Sequence, residues 1–172
     1  MGRARDRLRL IMAKPAKTNA ARLLDRAGIT YEIRTYDLCM DDFSAEAVAE
    51  AIGMPADIVF KTLVVDVDGA GPCFAVVRGD ADLDLKAIAK AAGGRKAHLA
   101  PLKDVQRLTG YVRGAVTVLG ARKAFPVYVD DHVATLDTMA CSAGAKGVQL
   151  VLGSEDYLSA TRGMVAPIAR VG

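Results

Sequence analysis

The stretch Phe60-Lys61-Thr62-Leu63-Val64-Val65, followed by Asp66, decides the fold. Four of these six residues are large and apolar, and Thr and Val favour a pleated backbone, so the stretch reads as a buried strand. Side chains alternate across a strand, which puts Phe60, Thr62 and Val64 on one face and Lys61, Leu63 and Val65 on the other. Lys61 is therefore a cation in an apolar row. Such a lysine either snorkels past its neighbours to water or meets an anionic partner in a cleft. Immediately downstream, Asp68-Gly69-Ala70-Gly71 offers the positive φ that a tight turn needs. Cys73-Phe74-Ala75-Val76-Val77 then returns as the second strand of a hairpin.

Working outward, Thr18 is placed to cap a helix bearing Ala21, Leu24 and Ala27, closed by Gly28. Tyr31 to Tyr36 alternates as a strand with one solvated face. Ser44 caps a helix carrying Ala47, Val48, Ala51 and Ile52 and ended by Gly53. Asp84 caps Leu85 to Ala92, a short strand covers Ala97 to Leu99, and Pro101 opens a brief helix through Leu108. Gly110 to Ala115 is a glycine-punctuated loop. Val116 to Leu119, Val127 to Val129, Thr138 to Ser142 and Val148 to Leu152 read as further short strands. Ser154 is expected to cap a last helix, with Glu155 and Asp156 in its first turn. The tail from Gly163 carries no assignable pattern. Hairpins and helices are mixed without strict alternation, which predicts an α+β fold: a mixed, mainly antiparallel sheet surrounded by helices.

The chain has 172 residues, enough for one domain with a real core. Residues 1–13, with four arginines between Met1 and Met12, read as a loosely ordered basic extension, and residues 14–172 as the single domain. Hydrophobic residues make up 52% and charged residues 25%, which excludes a largely disordered chain. A formal net charge of +3 permits a polyanionic partner without requiring one. The basic groups Arg95-Lys96, Arg113, Arg122-Lys123 and Lys146 alternate with glycine-bearing turns, a pattern suited to phosphates and equally to simple surface solvation. Cys39, Cys73 and Cys141 are widely spaced and odd in number, which fits a reducing cytosol better than a disulfide framework or a zinc site. No apolar run reaches membrane-spanning length, and the stretch Met1 to Met12 is not expected to be a secretory signal. A cytoplasmic protein is expected.

The motifs that are missing narrow the chemistry. There is no G-x-S-x-G elbow, no H-E-x-x-H and no G-x-x-x-x-G-K-[ST]. His98 and His132 are solitary and read as satisfied side chains. No metal and no cofactor are expected. An enzyme built this way would suit a reaction that needs chiefly orientation and donors aimed at a developing oxyanion, such as hydrolysis of an activated ester.

Five pieces of the chain resemble the YbaK/EbsC family of aminoacyl-tRNA deacylases. They are residues 14–20, Phe60-Lys61-Thr62-Leu63-Val64-Val65, Leu83-Asp84-Leu85-Lys86, Thr109-Gly110-Tyr111-Val112-Arg113-Gly114 and Ser142-Ala143-Gly144-Ala145-Lys146-Gly147. They stand in the family's order and spacing and cover nearly the whole chain. The subgroup most similar is the free-standing Cys-tRNA(Pro) deacylases, which remove cysteine wrongly attached to proline tRNA. The resemblance implies a partly barrel-like sheet with helices around it. It matches Lys61 to the family's essential lysine, with Thr62 after it at the pocket wall. It matches Tyr36 to a pocket tyrosine, Gly114 to the first glycine of the substrate-side loop, and Ser142 to the serine before the last glycine turn. Backbone N–H groups near Gly114 and Ala115 would face the substrate, and the substrate's own thiol would take the place of a protein nucleophile. Mischarged proline tRNA is the implied partner, with prolyl-tRNA synthetase as a possible second one.

Two residues depart from the family pattern. Ala115 stands where a second glycine is usual, and Val118 where proline is usual. The first adds a methyl near a substrate path, and the second loosens a turn. The amino acid removed is thereby left open between cysteine, alanine and another small residue, and a non-catalytic tRNA- or synthetase-binding module of the same fold stays as a rival.

Overall fold

The computed structural model describes residues 17–38, 42 and 44–172. The basic extension expected over residues 1–13, the motif residues 14–16 and Cys39 lie outside the described residues.

The first helix, α1 (Asn19–Arg26), starts where Thr18 accepts the N–H of Ala21 and turns Ala20, Ala21 and Leu24 inward. Strand β1 (Tyr31–Thr35) leads to α2 (Ala45–Ile52), capped by Ser44 and closed by Gly53 in the left-handed region. A short 3-10 turn (Ala56–Ile58) then delivers the chain to the hairpin β2 (Phe60–Val67) and β3 (Gly71–Arg78). After β4 (Asp82–Leu83), Asp84 accepts the N–H groups of Lys86 and Ala87 and starts α3 (Leu85–Ala91). The elements β5 (Ala97–Leu99), α4 (Leu102–Thr109), β6 (Val127–Asp130), β7 (Thr138–Ser142), β8 (Val148–Gly153) and α5 (Ser154–Thr161) follow. Two short strands, β9 (Met164–Ala166) and β10 (Ala169–Arg170), end the order.

One sheet runs β5-β2-β3-β6-β9, antiparallel from β5 to β3 and parallel from β3 to β9. A second, fully antiparallel sheet runs β1-β8-β7. A bridge between Val59 and Ala140 links the two, and they do not close into a barrel. The fold is thus the expected mixed, mainly antiparallel α+β arrangement.

The principal core lies between these sheets. Phe60, Val64, Phe74 and Val76 of the larger meet Met139, Cys141, Leu150 and Leu152 of the smaller, with Leu24 and Tyr157 from the helices. Behind the larger sheet, Val65, Val67, Ala75 and Val77 pack on Ile88 and Ala89 of α3. Both faces of β2 and β3 are covered, which is why they read as near-continuous apolar runs. Outside the smaller sheet, Ala49 and Ile52 of α2 cover Val59 and Ala140.

Two expectations need correction, and the unassigned tail has regular structure. Val116 to Leu119 is a loop that bends at Val118 into a turn: alternate residues Ala115, Thr117 and Leu119 are buried, but the segment pairs with no strand among the described residues. The Leu119 carbonyl accepts the Tyr111 hydroxyl at 2.7 Å instead. Burial of every second residue mimics a strand without a ladder. Ser154 is the first residue of α5 rather than its cap; Gly153 holds the cap position, and the buried Ser154 hydroxyl has no partner among the described residues. The unassigned tail forms β9 and β10, with β10 paired to β4. The Asp130 carboxylate fixes it there, accepting the N–H groups of Ile168 at 3.2 Å and Ala169 at 2.9 Å.

Candidate active site

Strand β2 is hydrogen-bonded to β3 over its whole length, but β5 accompanies its other edge only at Val65–Val67. The Ala100 N–H extends that contact by one residue, donating to the Val64 carbonyl at 2.9 Å. At the other end, Val59 bridges to Ala140. Between those two points the edge is open.

Backbone polarity alternates along a strand, so Thr62 directs its N–H and carbonyl the same way as Val64, toward the open edge. Phe74, opposite Val64, sends its own N–H away to Pro126 at 2.8 Å, as that register requires. A cleft of about 910 Å³ occupies this opening. Its walls are β2, the start of α2, the β5–α4 junction, the Arg113-Gly114 turn and the end of the smaller sheet.

Lys61 lies half-buried in the cleft on the side of β2 that also carries Leu63 and Val65, and it makes no ion pair among the described residues. Thr62 is buried beside it. Tyr36 follows β1 and donates its N–H to Gly147 at 2.9 Å. Ser142 ends β7, and its hydroxyl oxygen accepts the Gly144 N–H at 3.1 Å, so it does brace the turn as well as line the cleft. Gly114 adopts φ +86°, a conformation for which glycine is suited, and the stem of Lys146 crosses it.

Tyr36, Lys61, Thr62, Gly114 and Ser142 therefore share one cleft. Ala115 does not join them. It is 1% exposed, and its N–H donates to the Val112 carbonyl at 3.0 Å. The extra methyl is thus placed in the interior and not on a substrate path. Val118 is absorbed likewise, packing on the principal core.

Tyr111 joins the two glycine turns. Its hydroxyl donates to Leu119, its N–H donates to the Thr109 hydroxyl at 3.0 Å, and its ring fills the place a Gly144 side chain would need, 2.6 Å from that Cβ position. A β-carbon at residue 144 would displace the ring, so the two turns fit together only with glycine there. Burial pushes the Tyr111 hydroxyl above its ordinary value.

Sequence reasoning missed Gln149, Arg113 and Lys146 as neighbours of Lys61. Neither Arg113 nor Lys146 forms an ion pair among the described residues, so with Lys61 they present three unpaired cations to a cleft whose lining also carries the carboxylates of Asp42 and Glu46. Their glycine-turn setting was the available signal. Gln149 gave none, because polar residues on alternating strands usually face solvent. The buried thiols are poor nucleophiles: loss of hydration pushes Cys73 up to about 11 and Cys141 up to about 12. His132 pairs with Asp57 at 3.0 Å and His98 with Asp66 at 3.6 Å, and neither histidine lines the cleft.

A model of the aminoacyl-tRNA editing domain matches residues 41–160, a span that contains Lys61, Gly114, Ser142 and Gln149. The chain belongs to the aminoacyl-tRNA editing domain family. Among members of this editing family, a Cys-tRNA(Pro)/Cys-tRNA(Cys) deacylase by name, EbsC of Enterococcus faecalis, is 39% identical over 152 residues, covering 88% of this chain and 93% of that protein. The Ser/Thr-tRNA deacylase ProXp-y of Escherichia coli is 29% identical over 140 residues, 79% of this chain and 82% of its own. The editing fold is matched by a crystal structure described as a trans-editing enzyme for prolyl tRNA synthetase, with a TM-score of 0.80 at 22% identity over 92% of this chain and 99% of that one. No helix among the described residues is long and apolar enough to cross a membrane.

Proposed function

We propose that this chain is a trans-editing deacylase that hydrolyses the ester linking a small amino acid to the 3′ end of a mischarged tRNA, with Cys-tRNA(Pro) as its foremost substrate. The observation that carries the reading is Lys61, half-buried at the open edge of β2 and without an ion pair among the described residues, within the same cleft as Gly114 and Ser142. The similarity to EbsC supports cysteine as the amino acid released.

In this reading Lys61 holds a phosphate or ester oxygen of the terminal adenosine and stabilises charge that develops on the carbonyl oxygen. Arg113 and Lys146 hold the neighbouring phosphates. The Thr62 N–H, aimed at the open edge, supplies a donor at fixed geometry. No protein nucleophile is needed, because a cysteinyl substrate brings its own thiol. Three cations without an ion pair among the described residues, and the similarity to a structure tied to prolyl-tRNA synthetase, support tRNA, and with it that synthetase, as partners; a cytoplasmic setting follows from this reading. A second substrate group, seryl and threonyl esters, is favoured by the similarity to ProXp-y.

The test is a panel of proline tRNAs charged with cysteine, alanine, serine, threonine and proline. Release of cysteine ahead of proline is the expected result. Binding of every tRNA with turnover of none would replace the enzyme by a binding module.

A further inference from the structure

We propose that Gln149 and Ser142 together form a subsite that reads a hydroxyl or thiol on the side chain of the esterified amino acid, so that serine and cysteine are taken in preference to alanine. This inference rests on the deacylase reading above.

The two residues are directly opposite in the β7–β8 register. Such partners have Cβ atoms about 4.5 to 5.5 Å apart and point to the same face. Both line the cleft, and both are nearly sealed from bulk water, Gln149 at 6% and Ser142 at 9% exposure. The Gln149 side-chain oxygen has no hydrogen-bond partner among the described residues. A buried acceptor left unmatched is costly, and one that lines a cleft can be matched by whatever the cleft binds. Ser142 is matched on one side only: its oxygen accepts from Gly144, which leaves its O–H free to donate.

An acceptor and a donor, face to face across one strand pair, are complementary to a group that both donates and accepts. A hydroxyl satisfies both at once, and a thiol does so more weakly. An ammonium has hydrogens for Gln149 but no lone pair for the Ser142 O–H. A methyl satisfies neither. The three cations of the cleft suit phosphate and ester oxygens, and Asp42 and Glu46, which also line it, suit an ammonium, so this neutral pair is left for the side chain.

The experiment compares wild type with Gln149→Leu in the full chain, using tRNA(Pro) charged with serine, cysteine or alanine. Leucine keeps the volume and removes both hydrogen-bonding atoms. The seryl-to-alanyl ratio of kcat/KM should fall by roughly tenfold or more, since a site built to bond a hydroxyl discriminates against its absence. The melting temperature should hold or rise, because an unmatched buried amide is replaced by an apolar group. An unmoved ratio, with all three esters slowed alike, would overturn the subsite and leave the deacylase reading standing. Wild type that cleaves none of the esters would remove the deacylase reading, and the subsite with it. If Gln149→Leu does not fold, Gln149→Met is measured in the same way; failure of both to fold would mark the amide as structural and overturn the proposal.

Discussion

The Val64 carbonyl accepts the Ala100 N–H at 2.9 Å, and this is where the neighbouring strand leaves β2. Between that bond and the Val59–Ala140 bridge, β2, Lys61 and Thr62 included, has β3 on one edge and the cleft on the other.

That position predicts what removing the ammonium does. Lys61 has no ion pair among the described residues, so Lys61→Ala leaves no stranded charge behind. Its melting temperature should stay within a few degrees of wild type. The deacylation rate should drop by about a hundredfold or more, as loss of one preorganised oxyanion donor does elsewhere. Turnover and thermal melting on the same preparation check both halves. A near-wild-type rate would take the lysine out of the mechanism.

Much of this was legible in the residues themselves. Thr18, Ser44 and Asp84 announce their helices because each cap acts through local geometry, and the β2–β3 hairpin is written in its glycines. The cleft residues Lys61, Tyr36, Gly114 and Ser142 were reachable from motif positions. What stayed hidden depends on partners far along the chain. Gln149 shares its face of β8 with Val151, the side on which α2 packs, and lines a cleft that residues of α2 and β2 also bound. Strands of two or three residues such as β9 and β10 have no pattern of their own and exist by pairing with β6 and β4. The segment Val116 to Leu119 shows the reverse: a strand-like alternation with no edge to join.

The thiols should be dispensable. Burial holds Cys73 and Cys141 in the neutral form far above neutral pH, and neither faces the cleft. Iodoacetamide treatment of the folded protein at pH 8 should therefore leave the deacylation rate intact, with mass spectrometry showing both residues unmodified. Inactivation that tracks alkylation would point to a protein nucleophile and overturn the substrate-thiol mechanism.

Salt should act on tRNA affinity through the cations of the cleft. Arg113 and Lys146 carry no partner charge among the described residues, so each phosphate they contact releases counterions on binding. A plot of log affinity against log salt for wild type should fall steeply. Lys146→Gln should weaken binding and make the slope shallower by about one. Fluorescence anisotropy across a potassium chloride series measures it; an unchanged slope would place Lys146 outside the tRNA footprint.

Acid should weaken the junction between β3 and β4 in a defined direction. Arg78 grips Asp80 through both nitrogens of its fork, Nη2 donating to Oδ2 at 2.8 Å. That bond holds the Asp80 carboxyl below its ordinary value, against the opposing pull of desolvation. A depressed carboxyl contributes its stability in full above its unfolded value of about 3.9 and loses it as pH falls through the folded value. Asp80→Asn should thus lower the urea midpoint at pH 7, and the gap to wild type should narrow as the pH is taken below about 4. Midpoints measured from pH 7 down to pH 3 decide the matter. A gap that keeps its size throughout would mean that the asparagine disturbs packing at the turn, and that the Arg78–Asp80 charge contributes nothing that protons can remove.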